Sequence, residues 1–357
     1  MFVSIAVPTL NEEIYISECL TSLLDQWPND LLEILVVDGG SSDRTVELVN
    51  ALSQHHPCIS VVHNPKRLQS AAMNHAAAVA DPRATILFRA DAHAKYPRQF
   101  VRECLKAFQD STVTSVVVPM KTVGEGRLQR AIAAAQNSRL GNGGSAHRIG
   151  GVSGFVEHGH HAAFERAFFL RLGGYDEGFS HNEDAEFDFR ALRAGGRIWM
   201  CAEATITYFP KRRLGLLAKQ YFRHGQGRAR TVLTHRMRPR PRQLAPLLIF
   251  FGVFEELLVV SVFWGFAVLP IAYLLLCTGW GLARSIVARD PWLLAIGPAA
   301  IIMHLSWAFG FLDGVTNWYQ SGPFEPQLGG FEGTTFVGSS STAAVPDRGL
   351  PYPTHAD

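Results

Sequence analysis

The chain has 357 residues, enough for one large domain or two ordinary ones, and 47% of them are hydrophobic, which is high for a purely soluble protein. A net charge of +2 hides poor mixing: eleven Lys or Arg and no Asp or Glu fall between residues 211 and 242, a block suited to phosphate, nucleic acid or an anionic membrane surface. The five cysteines are scattered, odd in number and lack a Cys-x-x-Cys pair, which argues against a disulfide framework or zinc knuckle and for a reducing compartment.

The chain opens Met-Phe-Val-Ser-Ile-Ala-Val-Pro, without a basic region and with an early proline, so no secretory signal is expected and the N-terminal part is placed in the cytoplasm. Short apolar, mostly β-branched runs at 3–7, 34–37, 59–62, 85–88 and 115–118 alternate with helical patterns near 12–25, 43–54, 69–80 and 97–110. That alternation predicts βαβ units, an α/β class and a mostly parallel sheet covered on both faces. Ligands of such sheets bind beyond the carboxyl ends of the strands. Pro8, Asn11 and Glu12 follow the first run; Asp38-Gly39-Gly40-Ser41-Ser42-Asp43 follows the second. Arg67 follows the third, and Arg89-Ala90-Asp91-Ala92-His93 the fourth. Each has a bland reading, Asp43 as a helix cap and Asp38-Gly39 as a turn, but four such ends together point to a site. A dinucleotide site is disfavoured, because Gly124-x-Gly126 and Gly225-x-Gly227 are incomplete fingerprints and neither follows the first strand.

Residues 180–196 read as an amphipathic helix, with Asn182 as cap, Glu183 and Asp184 in the first turn, an apolar stripe of Phe187, Ala191 and Leu192, and Gly195-Gly196 as its stop. Acids at a helix N-terminus are ordinary. The sharper alternative makes Asp184 a general base presented to a cleft by a rigid element.

Pro8-x-x-Asn11-Glu12, Val36-Val37-Asp38-Gly39-x-Ser41-x-Asp43-x-Thr45, Asp91-x-His93, Gly173-Gly174-Tyr175-Asp176-Glu177 and Glu183-Asp184 occur in the order that resembles family 2 glycosyltransferases, the inverting GT-A enzymes. The resemblance covers roughly residues 1–235. With Arg89 and Gln220-Tyr221-x-Arg223 it is most similar to the succinoglycan (exopolysaccharide) glucosyltransferases of that family. It implies a Rossmann-like nucleotide-sugar-binding GT-A domain over 1–210 and a UDP-sugar donor. Asp38 would meet the uracil, with Pro8, Asn11 and Glu12 shaping the same pocket, and Arg67 would lie near the diphosphate. Asp91 falls where the family's metal-binding Asp-x-Asp belongs, implying a divalent cofactor, Mn²⁺ or Mg²⁺. The chain departs from the pattern at His93: either a Mn²⁺-like ion takes its imidazole as a ligand, or Asp91 alone holds the ion and His93 touches phosphate. Asp184 becomes the base for inverting transfer, with Glu183, Gln220 and Arg223 assigned to the acceptor or diphosphate.

His158, His160 and His161 lack a Cys or acid at ligand spacing and read as acceptor-site or core histidines, not zinc ligands. The small residues 141–145 read as a loop, a lid or plain linker. Residues 211–243 mix cations with Leu214, Leu217, Tyr221 and Phe222, as in a helix lying on anionic membrane lipids. Base-stacking and groove-reading features are missing, so no nucleic acid is expected. Gln220-x-x-Arg223 resembles the Gln-x-x-Arg-Trp motif of processive synthases, but His224 stands in place of the Trp, so transfer of a single sugar is expected.

The apolar stretches 244–264, 266–283 and 292–312 each approach the roughly 20 residues that cross a bilayer. Glu255 and Glu256 sit in the first, where an ionised carboxylate costs about 2.5–3.5 kcal/mol, so two or three transmembrane helices are expected over 244–312. Three crossings would leave a disordered tail, 313–357, on the far side. The reading is a multi-pass protein of a bacterial-type inner membrane with a cytoplasmic catalytic domain. It moves one hexose, glucose by resemblance, to a polyprenyl-diphosphate-linked saccharide with inversion. The rivals are a transferase acting on another lipid and a non-catalytic nucleotide-sugar-binding scaffold.

Overall fold

A computed structural model describes residues 1–144, 151–239, 241–259, 268–322 and 327–328. The first apolar run becomes β1 (Phe2–Thr9), followed by α1 (Ile16–Leu24), β2 (Leu32–Asp38), α2 (Thr45–Ser53), β3 (Ile59–His63), α3 (Gln69–Val79) and β4 (Ala84–Arg89). These strands pair in parallel in the order β3-β2-β1-β4, and the foreseen strand–helix alternation is present throughout. Strand alternation sorts the core into two layers. Val3, Ile5, Val7, Ile34 and Val36 face the cluster that holds α1 and α2, whereas Ala6, Leu35 and Val37 face Ala72, Ala76, Phe164, Phe169 and Phe187 on the other side. Each large side chain buried there contributes about 1.5–3 kcal/mol.

Next come β5 (Ala94–Lys95), α4 (Phe100–Ala107), β6 (Val113–Val118), β7 (Met120–Thr122), α5 (Arg127–Gln136) and α6 (Arg139–Asn142). β8 (Gly154–Val156), β9 (His160–Glu165), α7 (Arg166–Arg171), α8 (Glu183–Arg193), β10 (Arg197–Met200) and β11 (Ile206–Tyr208) follow. The main sheet has eight strands in the order β3-β2-β1-β4-β9-β6-β10-β8. It is mostly parallel, as expected, but mixed, because β9 inserts antiparallel between β4 and β6 and β8 closes the far edge antiparallel to β10. β5, β11 and β7 form a small second sheet. The small-residue segment after 140 is not all loop: α6 includes Gly141 and Asn142 and stops at Gly143 with φ 62°, while 145–150 lie outside the described residues.

Four helices complete the chain: α9 (Leu214–Thr234), α10 (Pro241–Val259), α11 (Val268–Ala288) and α12 (Ile296–Ser321). Among the described residues two stretches, Pro270–Ala288 and Pro291–Gln320, are long and apolar enough to cross a membrane. The second of these is not a free-standing span. Along α12, Gly310 and Gly314 meet α9 so closely that a Cβ on Gly310 would lie 1.9 Å from the Phe222 carbonyl oxygen. Ala299 and Met303 pack in one cluster with Ala131 and Ala135 of α5 and Leu217 of α9. The expected tail also starts later, since α12 runs to Ser321. The side chains of Glu255 and Glu256, and the tail apart from residues 327 and 328, lie outside the described residues.

Candidate active site

The carboxyl ends of β1 and β2 are tied together by their loops. Asn11, at φ 57°, accepts the Ser42 N–H at 2.8 Å and donates its own N–H to the Ser41 hydroxyl at 2.9 Å. Thr45 Oγ1 receives the Glu12 N–H at 2.8 Å. Asp38, nearly buried at the end of β2, accepts the N–H groups of Gly40 at 2.8 Å and Ser41 at 3.0 Å and the Ser41 hydroxyl at 2.5 Å. The turn reading of Asp38 therefore holds, and it leaves the carboxylate fixed at the mouth of the sheet. Pro8 is half-buried beside it, and Arg67 is exposed at φ 57° where Gly39 packs on its backbone.

At the end of β4, Arg89 organises the centre. Its guanidinium lies 3.3 Å from Asp91 Oδ1, 3.2 Å from Glu183 Oε1 and 3.2 Å from the Tyr175 hydroxyl, all buried. One cation thus joins the end of β4 to the start of α8. Gln69 Nε2 donates to Asp91 Oδ1 at 3.1 Å, and His160 Nε2 stands 3.5 Å from Asp91 Oδ2. Burial opposes the charge on Asp91, but Arg89, His160 and His93 outweigh it and hold the carboxyl well below the usual range.

His93 has a partner at each ring nitrogen: Nδ1 is 3.0 Å from Glu12 Oε1 and Nε2 is 3.0 Å from the Tyr208 hydroxyl. Burial opposes protonation, yet Tyr208 and Glu12 prevail and push the ring up to about 10. With both ring nitrogens so partnered, neither is left over for a metal.

Asp184 sits half-buried in the first turn of α8, beside the buried Glu183. Asn182 occupies the cap position at φ 70°, but it does not cap: its amide donates to Thr231 Oγ1 of α9 at 3.0 Å, locking α8 to α9. Burial raises both acids. His158, His161 and Arg89 reverse the shift at Asp184 and hold it low, whereas at Glu183 burial and the neighbouring Asp184 prevail over Arg89 and push it up. Asp184 is consequently the more acidic member of the pair. Beneath them Asp188 lies 2.7 Å from His158 Nδ1 and 2.7 Å from His161 Nε2, and His161 Nδ1 reaches the Tyr175 hydroxyl at 2.6 Å. The histidines are thus core and site-supporting groups.

Sequence reasoning assigned no role to Arg89, Tyr175, Asp188, Tyr208 or Gln69. The signal for Tyr175 was present in Gly173-Gly174-Tyr175, where both glycines have positive φ and Asn74 receives the Tyr175 N–H at 2.8 Å. Gln220 Nε2 is 3.5 Å from the Tyr208 hydroxyl, and its Oε1 is buried with no donor in reach among the described residues. Arg223 is exposed on α9. Among the described residues no three His, Cys, Asp or Glu side chains converge as a metal cage. Asp91 is the carboxylate at the expected metal position, and Arg89, Gln69 and His160 surround it.

Two family models match the chain: Glycosyl transferase family 2 over residues 4–173 and Glycosyl transferase family group 2 over residues 90–312. The chain is 42% identical over 311 residues to the succinoglycan biosynthesis protein ExoA of Rhizobium meliloti, covering 86% of this chain and 93% of the relative. It is 25% identical over 329 residues to a Methanococcus voltae glucuronosyltransferase whose name gives a dolichyl N-acetylglucosaminyl phosphate acceptor, covering 88% and 97%. The mannosyltransferase PcManGT of Pyrobaculum calidifontis, solved with GDP-mannose and Mn²⁺, shares the fold at a TM-score of 0.55 and 24% identity over 85% of this chain and 86% of its own. With a mixed GT-A sheet whose strand ends gather Asp38, Asp91 and the Glu183-Asp184 pair, this chain is a glycosyltransferase and belongs to glycosyl transferase family 2.

Proposed function

We propose that the enzyme transfers one hexose, glucose, from a UDP-sugar to a saccharide carried on polyprenyl diphosphate, with inversion, in exopolysaccharide assembly. The observation that carries this reading is the Arg89 bridge, which links Asp91 on the donor side to Glu183 beside the acceptor base. The nucleotide lies over the ends of β1 and β2, with Pro8, Asn11, Glu12 and Asp38 around the base and Arg67 at the diphosphate. Asp184 takes the proton of the acceptor hydroxyl as that oxygen bonds to C1 and the C1–O bond to the diphosphate breaks on the opposite face, so an α-linked donor gives a β-linkage. Arg89 keeps Glu183 and Asp91 in register while charge moves toward the leaving group. Asp91 would hold a divalent ion, which when bound would neutralise charge on the departing diphosphate. His93, whose ring nitrogens are taken by Glu12 and Tyr208, stays outside the ion's shell.

The acceptor class rests on three supports: the dolichyl-linked acceptor in the name of the Methanococcus voltae relative, the basic residues of α9, and an apolar cavity. That cavity, of about 490 Å³, is lined by Ala218, Lys219, Phe222, Phe250, Leu305 and Phe309 between α9, α10 and α12. Hydrocarbon beside one ammonium matches a lipid diphosphate. Gln220 and Arg223, on the same helix, meet the diphosphate or the saccharide. The enzyme works from the cytoplasmic face of a bacterial-type inner membrane.

The test is label transfer from a panel of UDP-sugars into the lipid fraction of membranes that carry the enzyme and the host's lipid-linked saccharides. Label from UDP-glucose alone, released as a β-linked residue, is expected. Label from another sugar corrects the donor, an α-linked product refutes the inverting step, and product on a glycerolipid replaces the acceptor.

A further inference from the structure

We infer that α10 and α11 alone enter the bilayer, while α12 stays on its surface as part of the catalytic body, so that the chain after α12 remains on the catalytic side. This rests on the membrane attachment proposed above but not on the transfer reaction.

The helix α9 lies flat on the domain because both its ends are tied there. Arg212 pairs with Glu125 at 3.0 Å just before it, and His235 meets Glu186 at 3.0 Å just after it. α12 runs alongside in the same direction: Leu217 shares a cluster with Ile296, Phe222 faces Gly310, and Gln226 and Ala229 face Gly314. Its own ends are tied as well. Asp290 pairs with Arg130 of α5 at 3.0 Å ahead of it. Beyond it, the Gln327 N–H donates to Asp176 Oδ1 at 2.9 Å, the Gln327 carbonyl accepts the Glu177 N–H at 2.9 Å, and Leu328 covers Gly173. A helix of 26 residues is about 39 Å long and suffices to cross a membrane, but one held to the same domain at both ends cannot do so. Its one acid, Asp313, accepts the Gln226 amide at 2.7 Å, so the apolarity of α12 is directed at protein as much as at lipid.

The surface left for lipid is on α11 and α10. Leu275 and Leu276 are 65% and 60% exposed, and Ile286, Val287 and Leu248 are exposed as well. The cations of α11 and its end, Arg284 and Arg289, lie toward the end that Asp290 fixes on the domain, the arrangement expected when that end meets cytoplasmic headgroups. The occupant of this face is therefore an anionic bilayer.

Two measurements on the full chain test the inference without assaying activity. The first fuses a fluorescent protein or alkaline phosphatase to the C-terminus in cells. Fluorescence with an inactive phosphatase is expected, and an active phosphatase would overturn the inference. The second places a spin label at Leu275→Cys or Tyr319→Cys, each with Cys58→Ser, in phosphatidylethanolamine–phosphatidylglycerol vesicles. Position 275 should collide with dissolved oxygen and not with a water-soluble nickel complex, and position 319 the reverse. A hydrocarbon depth at 319 overturns the inference. So does a label at 275 that meets water, or one that meets neither reagent because a second copy covers it.

Discussion

Arg89 concentrates the energetic risk of the site in one buried side chain. It holds two carboxylates and a tyrosine hydroxyl away from water, and breaking such a pair leaves uncompensated charge behind. Arg89→Met should lower unfolding free energy by about 3–5 kcal/mol in urea titrations, and an unchanged midpoint would show that the bridge is not formed. Tyr175→Phe removes the hydroxyl that joins Arg89 to His161 and should cost about 1–3 kcal/mol. The pH profile follows from the signs. Asp184 is held below the usual carboxylate range by His158, His161 and Arg89 against burial, so its basic form persists through neutrality and is lost only as pH falls through that lowered value. His158→Asn removes the first-named of those charges, and the acid limb of kcat/KM should move to higher pH. A shift to lower pH would mean that some other group controls the limb. Asp188 is also depressed, against burial, by His161 and His158. Its stabilising contribution is complete above the unfolded value of about 3.9 and disappears as pH falls through the folded one, so Asp188→Asn should flatten the acid end of the stability curve.

At the scale of elements, the four strand–helix repeats were legible because a core sheet demands apolar runs and its helices demand a 3.6-residue stripe. The same demand explains why β9 was not. His160–Glu165 carries no β-branched residue, and its histidines are buried by partners that only the folded chain supplies, Asp91 for His160 and Asp188 with Tyr175 for His161. Asn182 fits the cap position by type, yet its side chain serves Thr231, a partner forty-nine positions away. Hydropathy is silent on the packing of α12 for a related reason: it records that a surface is apolar and not whether lipid or protein covers it. The glycines were the unread signal, since Gly225 and Gly310 allow α9 and α12 to touch backbone to backbone. Gly310→Leu should force the pair apart, costing about 1–3 kcal/mol, and should expose α12 to proteolysis; an unchanged melting profile and digestion pattern would contradict the close packing.

For the whole molecule, the proposed site is a seam between the strand ends, assigned to the donor, and α8 with α9, assigned to the base and the membrane side. Asp38, Asp91 and Asp184 were legible as candidates because each follows a predicted strand or opens a predicted helix and matches the family's motifs. The supporting Arg89–Tyr175–His161–Asp188 chain was not, since its members come from separate stretches that meet only after β9 inserts. A site with one carboxylate for the ion binds it together with the donor. A chelator should therefore abolish transfer, Mn²⁺ should restore it, and the melting temperature without donor should not change; a chelator-induced drop in melting temperature would reveal a protein-only metal site. The central claim is that Asp184 is the base of an inverting transfer. Its most direct test is single-turnover transfer by Asp184→Asn at saturating donor, with UDP binding measured alongside. Transfer slowed by about 10²–10⁴-fold with UDP affinity unchanged is expected. Transfer at the wild-type rate by a folded variant would contradict it.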